Sequence, residues 1–395
     1  MTRQQPAGSG RSGLDLAGLD VRPAQVWGAV RLVPLVRPEP IADLRLHQQV
    51  YGEATGVVEV GRRRAYVSYV PHGFVASWSR DGGPAAAYGT QFLDGADPAP
   101  ATVGLRFHRG MSRRQARGRL RFLPLHLALE GYLALHFGGP SIAWEEWSAR
   151  ALRRGLTPRV EEAYLGADVR GLADALRVFE IHPGQCGVLL HVADTLAAAF
   201  VVPHPDDYRA LHSTLVRDLY GELIHRYAML MPAVPDFRAR IPEAGIRSLA
   251  ALRAAAAEQE TAWARFHDEV MTGGLLTDDY TWRSVYRMGR FRLSRFLPSF
   301  RPKRENHIGE AIVDGAGRVA YLKTFRLSES QIRRGHLLTR LAAHDWHLGE
   351  TAAELGLTRA QLGLRLEGAG FGALLRQDVL DGYRAASARA AGGPG

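Results

Sequence analysis

The stretch that most restricts what this chain can fold into runs from Ser328 to Phe371, SESQIRRGHLLTRLAAHDWHLGETAAELGLTRAQLGLRLEGAGF. Its spacing predicts three short helices with a tight bend between the second and third. In the first, Ser328 to His344, Ile332, Leu337, Leu338 and Leu341 recur on one face at three- and four-residue intervals. The second, Leu348 to Leu355, carries Ala352 at its centre, where a small side chain lets another helix cross closely. Gly356 then stops it, because glycine takes positive φ without steric cost. Thr358 can cap the third helix by accepting from its orphan N–H groups. Leu362 and Leu366 bury that helix, and Phe371 closes the unit. This is a helix-turn-helix arrangement, whose last helix can enter the major groove.

WHLGETAAELGLTRAQLGLRLEGAGF resembles the Fis-type helix-turn-helix that ends many bacterial regulators. The matching features are Trp346, Ala352, the turn from Leu355 to Arg359, Leu362, Leu366 and Gly370. The resemblance implies DNA contact by Arg359, Gln361 and Arg365. Gly363 and Leu364 depart from it, since DNA-binding members carry polar or basic residues there. Docking onto a protein therefore stands beside DNA binding as an open alternative. A lone unit of this kind binds weakly, so a homodimer is expected.

At 395 residues the chain is long enough for two or three domains. A hydrophobic content of 46% with 23% charged residues is that of a globular protein. No run of about eighteen apolar residues occurs, so no membrane partner is expected. The start, MTRQQPAGSGRSG, has no apolar signal core, which points to the cytoplasm. A single cysteine, Cys186, excludes an intrachain disulfide and a cysteine-based metal cluster. The net charge of +10 favours an anionic partner, nucleic acid first. The arginine-rich, alanine-rich composition of a GC-rich genome explains the same charge, so its distribution matters more than its sum.

Along the chain, residues 1–20 read as a disordered tail, with order beginning near Val26. The segment 21–230 reads as one α+β domain with a mainly antiparallel sheet. Its strands are expected at Val26 to Val36, on either side of Pro71-His72-Gly73, and around AAAYGTQFL and ATVGLRFHR. Helices are expected at Leu123 to Phe137, Ala143 to Arg154 and Val169 to Arg177. Two strands should flank His182-Pro183-Gly184, and a helix capped by Asp206 should run to about Met229. Residues 231–305 read as a helical connector containing an alanine-rich helix, Glu243 to Met271. Within it, Thr281 to Arg304 holds eight Arg or Lys and no acid, interleaved with Trp282, Tyr286, Phe291, Phe296 and Phe300. Such a stretch can hold a phosphate backbone and stack on bases, which makes Arg290, Arg292, Arg295, Lys303 and Arg304 candidate contacts. It can equally be an amphipathic helix with solvated arginines. Residues 306–385 combine a β-hairpin across Asp314-Gly315 with the all-α helix-turn-helix unit, and 386–395 read as a second tail.

The densest polar constellation is Glu180, His182, Gln185, His204, Asp206 and Asp207. If its two turns meet, histidine and carboxylate could hold a metal or phosphate. Capping and turn roles account for the same residues, and the motifs of nucleotide, zinc-protease and serine-hydrolase sites are absent. No cofactor, metal or catalytic residue is assigned. FLPLHLALEGYLALHFGGPSIAWEEW and ALRVFEIHPGQCGVLLHVADTLAAAFVVPHPDDYRALH resemble the bacterial domain family named for its association with ADP-ribosylglycohydrolases and rhodanese-type phosphatases. The resemblance implies a multi-gene conflict or stress system, with protein partners from the same gene cluster. The expected function is a non-enzymatic regulator or adaptor that binds DNA or protein through its C-terminal unit. The rival is a nucleotide- or ADP-ribose-handling enzyme or binder built on the Glu180 to Asp207 cluster.

Overall fold

The computed structural model describes residues 14–46, strand segments 65–68, 74–78, 84–88, 91–93, 102–104 and 121–122, then 177–215, 232, 240–241, 243–267 and 272–391. The expected helices at Leu123 to Phe137, Ala143 to Arg154 and Val169 to Arg177 lie essentially outside them. So does the continuation of the helix after Leu215.

The fold is mixed α+β around a nine-stranded antiparallel sheet. Its strands are β1 (Asp20–Val21), β2 (Gln25–Trp27), β3 (Val30–Val36), β4 (Gln185–Val192), β5 (Thr195–Val201), β6 (Tyr280–Met288), β7 (Phe291–Pro298), β8 (His307–Val313) and β9 (Val319–Arg326). They lie in the order β1-β3-β4-β5-β9-β8-β7-β6, with β2 also pairing β3. Strands β4, β8 and β9 are buried along almost their whole length, as central strands covered on both faces must be. Phe200 and Tyr321 meet edge to face, 5.8 Å between centroids, in the middle of the core. Two smaller sheets are built from the segments between Leu44 and Phe122.

Four expectations are corrected here. Order begins before Val26, since Leu14 is already buried and β1 starts at Asp20. The single strand expected from Val26 to Val36 is a hairpin, β2 and β3, turned at Gly28 with φ 59°. The stretch from Thr281 is no helical connector. It forms the β6–β7 hairpin, turned at Gly289 with φ 52°, which pairs residue for residue from Tyr280↔Pro298 to Met288↔Phe291 around one bulge. The sheet therefore runs through the expected boundaries at 230 and 305, because β9 pairs β5 and β8 pairs β7. The hairpin across Asp314 forms as expected, its turn held by Asp314 Oδ1, which accepts from Ala316 N and Arg318 N.

Among the described residues, two longer helices flank the sheet. Helix α1 (Pro205–Thr214) buries Tyr208 and Leu211 against β4, with Leu215 just past its end. Its cap is His204 rather than Asp206, with His204 Nδ1 accepting from Asp206 N at 3.2 Å. Helix α2 (Leu249–Phe266) begins later than Glu243, because Ser248 Oγ accepts from Ala251 N and fixes the first turn.

The C-terminal region is helical: α3 (Glu329–Ala343), α4 (Leu348–Glu354), α5 (Arg359–Leu366) and α6 (Gln377–Ala391). Ser328 and Gln331 close a capping box on α3, and Thr358 and Gln361 close one on α5. Gly356 takes φ 63° between α4 and α5, and Leu357 N donates to Ala352 O at 2.8 Å. Leu337, Leu341, Ala352, Leu362 and Leu366 form the region's own core. It docks on the sheet where the Phe300 ring lies over Gly335 of α3, a contact that leaves no room for a β-carbon. Residues 386–391 of the expected tail are the last part of α6, whose Tyr383 ring packs on Gly363 of α5; the rest of that tail lies outside the described residues.

Candidate functional site

The two turns of the polar constellation do meet at one end of the sheet. Residues 37 to 41 cross over both, as Arg37 N donates to Gly184 O and Ile41 N to Pro203 O. The side chains of Gln185, His204 and Asp207, however, are spent on the fold. Gln185 is buried, accepts from His182 N at 2.9 Å and donates to Gly187 O at 3.1 Å. Asp207 is buried and takes a fork from Arg45, Nη2 at 2.9 Å and Nε at 3.1 and 3.2 Å. That pair ties the strand at Leu44–Leu46 to α1. His204 caps, while Glu180 and Asp206 stay exposed.

A buried chain of polar groups runs behind this end. His212 bridges Tyr208 Oη and Phe179 O, each at 3.2 Å. Burial holds the His212 imidazole below its ordinary pKa, with the Phe179 carbonyl opposing. Arg37 Nη2 donates to Val319 O at 2.7 Å, fastening β3 to β9. Beside it, burial pushes the Cys186 thiol up to about 11 despite the guanidinium, so it is no thiolate nucleophile near neutral pH. Among the described residues no three His, Cys, Asp or Glu side chains are grouped to hold a metal ion.

The basic stretch sorts into committed and uncommitted cations. Arg295, Glu310 and Lys323 stand opposite one another on β7, β8 and β9. Glu310 is fully buried, accepts from Arg295 Nε at 2.8 Å and lies 3.3 Å from Lys323 Nζ. Burial lowers the Lys323 pKa, and the Glu310 charge resists that shift. Arg295 is therefore a strut of the sheet, not a free contact. Arg290 is held by Asp43 and lies over the Phe291 ring at 4.9 Å. Arg292, Lys303 and Arg304 are exposed and carry no acidic partner among the described residues.

In the C-terminal region, residues 328–391 hold eight arginines against seven acids. Arg333 pairs with Glu329, Arg340 with Glu354, Arg376 with Asp378, and Arg384 with Glu367 and Asp381. Arg359 and Arg365 are both exposed on α5 and have no acidic partner among the described residues. Gly349 leaves the space that the Arg359 guanidinium occupies. Gln361 is also exposed, its carbonyl used by Thr358 N at 2.9 Å. Gly363 is explained by packing, since its missing side chain admits Tyr383, and a β-carbon would lie 2.5 Å from Tyr383 Cε2. Sequence reading missed Arg45, the partner of Asp207, and the cross-strand triad. The triad could have been found only after the alternation of Phe291, Leu293 and Leu297 had identified a strand.

This architecture is a mixed α+β body built on an antiparallel sheet and followed by a helical region. The ARPP-2 family matches the chain over residues 14–289, well over half its length, and the chain belongs to that family. The match ends in the β6–β7 turn and leaves β7 to β9 and helices α3 to α6 outside it. No curated protein and no solved structure matches the chain. No helix among the described residues is long and apolar enough to cross a membrane.

Proposed function

We propose that this ARPP-2 protein is a non-enzymatic regulator or adaptor that binds DNA through α4 and α5, with the sheet-centred body as the part brought to that site. The family's name suggests association with ADP-ribosyl glycohydrolases, which fits a multi-gene conflict or stress system. The turn at Gly356, the cap at Thr358 and the buried Leu362 and Leu366 support a Fis-like helix-turn-helix reading.

The observation that carries the proposal is the choice of unpaired cations. Four of the eight arginines of the C-terminal region are neutralised by acids, whereas Arg359 and Arg365, both on α5, are exposed and unneutralised by any described residue. Fork-shaped guanidinium groups suit phosphate and guanine edges. Gln361 keeps its amide donor available, and Lys303 and Arg304 follow Phe300, the residue that docks α3. Gly363 no longer argues for a protein-binding surface, because α6 needs it. The nucleotide-handling alternative draws no support from a cluster whose buried members are saturated by protein partners.

A gel-shift comparison tests the proposal. Wild type should bind duplex DNA at micromolar protein or better, and Arg359→Ala/Arg365→Ala should weaken binding at least tenfold with an unchanged circular dichroism spectrum. Equal binding by both proteins would remove α5 from the contact.

A further inference from the structure

We infer that the tip of the β6–β7 hairpin carries a second contact for the phosphate backbone of nucleic acid, made by Arg287 and Arg292. The inference rests on nucleic acid being the ligand of α5, and it concerns a different part of the molecule.

Arg287 and Arg292 stand directly opposite each other in the register of β6 and β7, and both are exposed. Like charges placed opposite across two strands weaken the sheet, so such a pair calls for an anion. Neither has an acidic partner among the described residues. The neighbouring cations do: Arg290 is held by Asp43, Arg318 by Asp314 at 2.9 Å, and Arg295 by Glu310. In β8, the residue opposite Arg292 is the neutral Val313. The tip thus carries two uncommitted guanidinium groups on a built support. Gly289 makes the tight turn, and Arg290 pins it to Asp43. Residues 281–304 supply no acid that could fold back onto the pair.

The position separates this contact from α5. Strand β7 runs eight residues from the tip to Pro298, about 24 Å at the rise of an extended strand. Phe300, just beyond its far end, is where α3 docks. Arg287 and Arg292 therefore act on another stretch of the same polymer, adding affinity without reading bases.

The test is a salt titration of full-length protein on a random duplex of about 24 base pairs. Each phosphate contact contributes about 0.9 to the slope of log affinity against log salt. Arg287→Gln/Arg292→Gln should reduce the slope by about 2, and Arg287→Lys/Arg292→Lys, which keeps both charges, should retain it. Far-UV circular dichroism confirms that each variant is folded. If the glutamine variant keeps the wild-type slope while Arg359→Ala/Arg365→Ala lowers it, the hairpin contact is wrong and the α5 reading survives. If the hairpin variant lowers the slope and the α5 variant does not, the hairpin contact stands and α5 is misassigned. Wild type that binds no nucleic acid at low salt removes both.

Discussion

Gly335→Ala tests how the helical region is fastened to the sheet. In an exposed helix interior this change stabilises by about 1 kcal/mol. Here a β-carbon on α3 would lie 2.7 Å from Phe300 Cζ, and closer still to two other ring carbons. Packed carbons need roughly 3.5 Å or more, so the ring must retreat by about one and a half ångströms. It has little room to do so, because Phe300 is only 2% exposed and its backbone sits at φ 50°. Overpacking of this kind costs about 1–3 kcal/mol, and the confinement places it near the upper end. The net expectation is a loss of about 2 kcal/mol. Gly382→Ala in α6 is the matched control, since nothing lies within 4 Å of its β-carbon, and it should stabilise by about 1 kcal/mol. Urea unfolding of wild type and both variants, followed by circular dichroism, measures the difference. A Gly335→Ala protein stabilised as much as Gly382→Ala would show that Phe300 does not hold α3.

Two further outcomes follow from buried charge. Glu310→Gln strands Lys323 and Arg295 in the sheet without their carboxylate and should cost about 3–5 kcal/mol in urea unfolding. Replacing all three residues by Met or Leu should recover most of that loss, and a mild effect of Glu310→Gln would mean that the triad is hydrated. The second outcome concerns pH. Burial holds His307 below its ordinary pKa, with the Glu305 carboxylate 3.8 Å away opposing and Arg326 reinforcing, and burial lowers His212 and His336 in the same direction. The unfolded chain therefore binds more protons below about pH 6.5, so this stability is complete above that value and is lost as pH falls through it. Thermal melts between pH 7.5 and 5 should show the decline, and His307→Gln should make it shallower. An unchanged decline would assign the effect elsewhere.

The sequence disclosed helices α3, α4 and α5 almost residue for residue, because their boundaries have local causes. Ser328 and Thr358 cap, Gly356 turns, and Leu362 and Leu366 repeat at helical spacing. It disclosed the Asp314 hairpin for the same reason. The β6–β7 hairpin was misread because its exposed face is arginine and its bulge between Ser284 and Tyr286 breaks the two-residue alternation. Helix α6 was not anticipated, because the alanines near its end have no apolar periodicity; Leu380 and Tyr383 supply the packing. The continuity of the sheet was invisible, since β5 and β9 are far apart in sequence and only register joins them. At the candidate site, composition showed where cations are abundant but not which are spent. Arg295 and Arg292 look alike in the chain, yet one faces Glu310 and the other solvent.

The most direct measurement is the affinity of the unmodified protein for duplex DNA from about 50 to 200 mM salt. Six uncommitted cations, Arg287, Arg292, Lys303, Arg304, Arg359 and Arg365, predict a slope near −5 and a loss of roughly a thousandfold across that range. A flat response, or no binding at micromolar protein in low salt, would contradict the account.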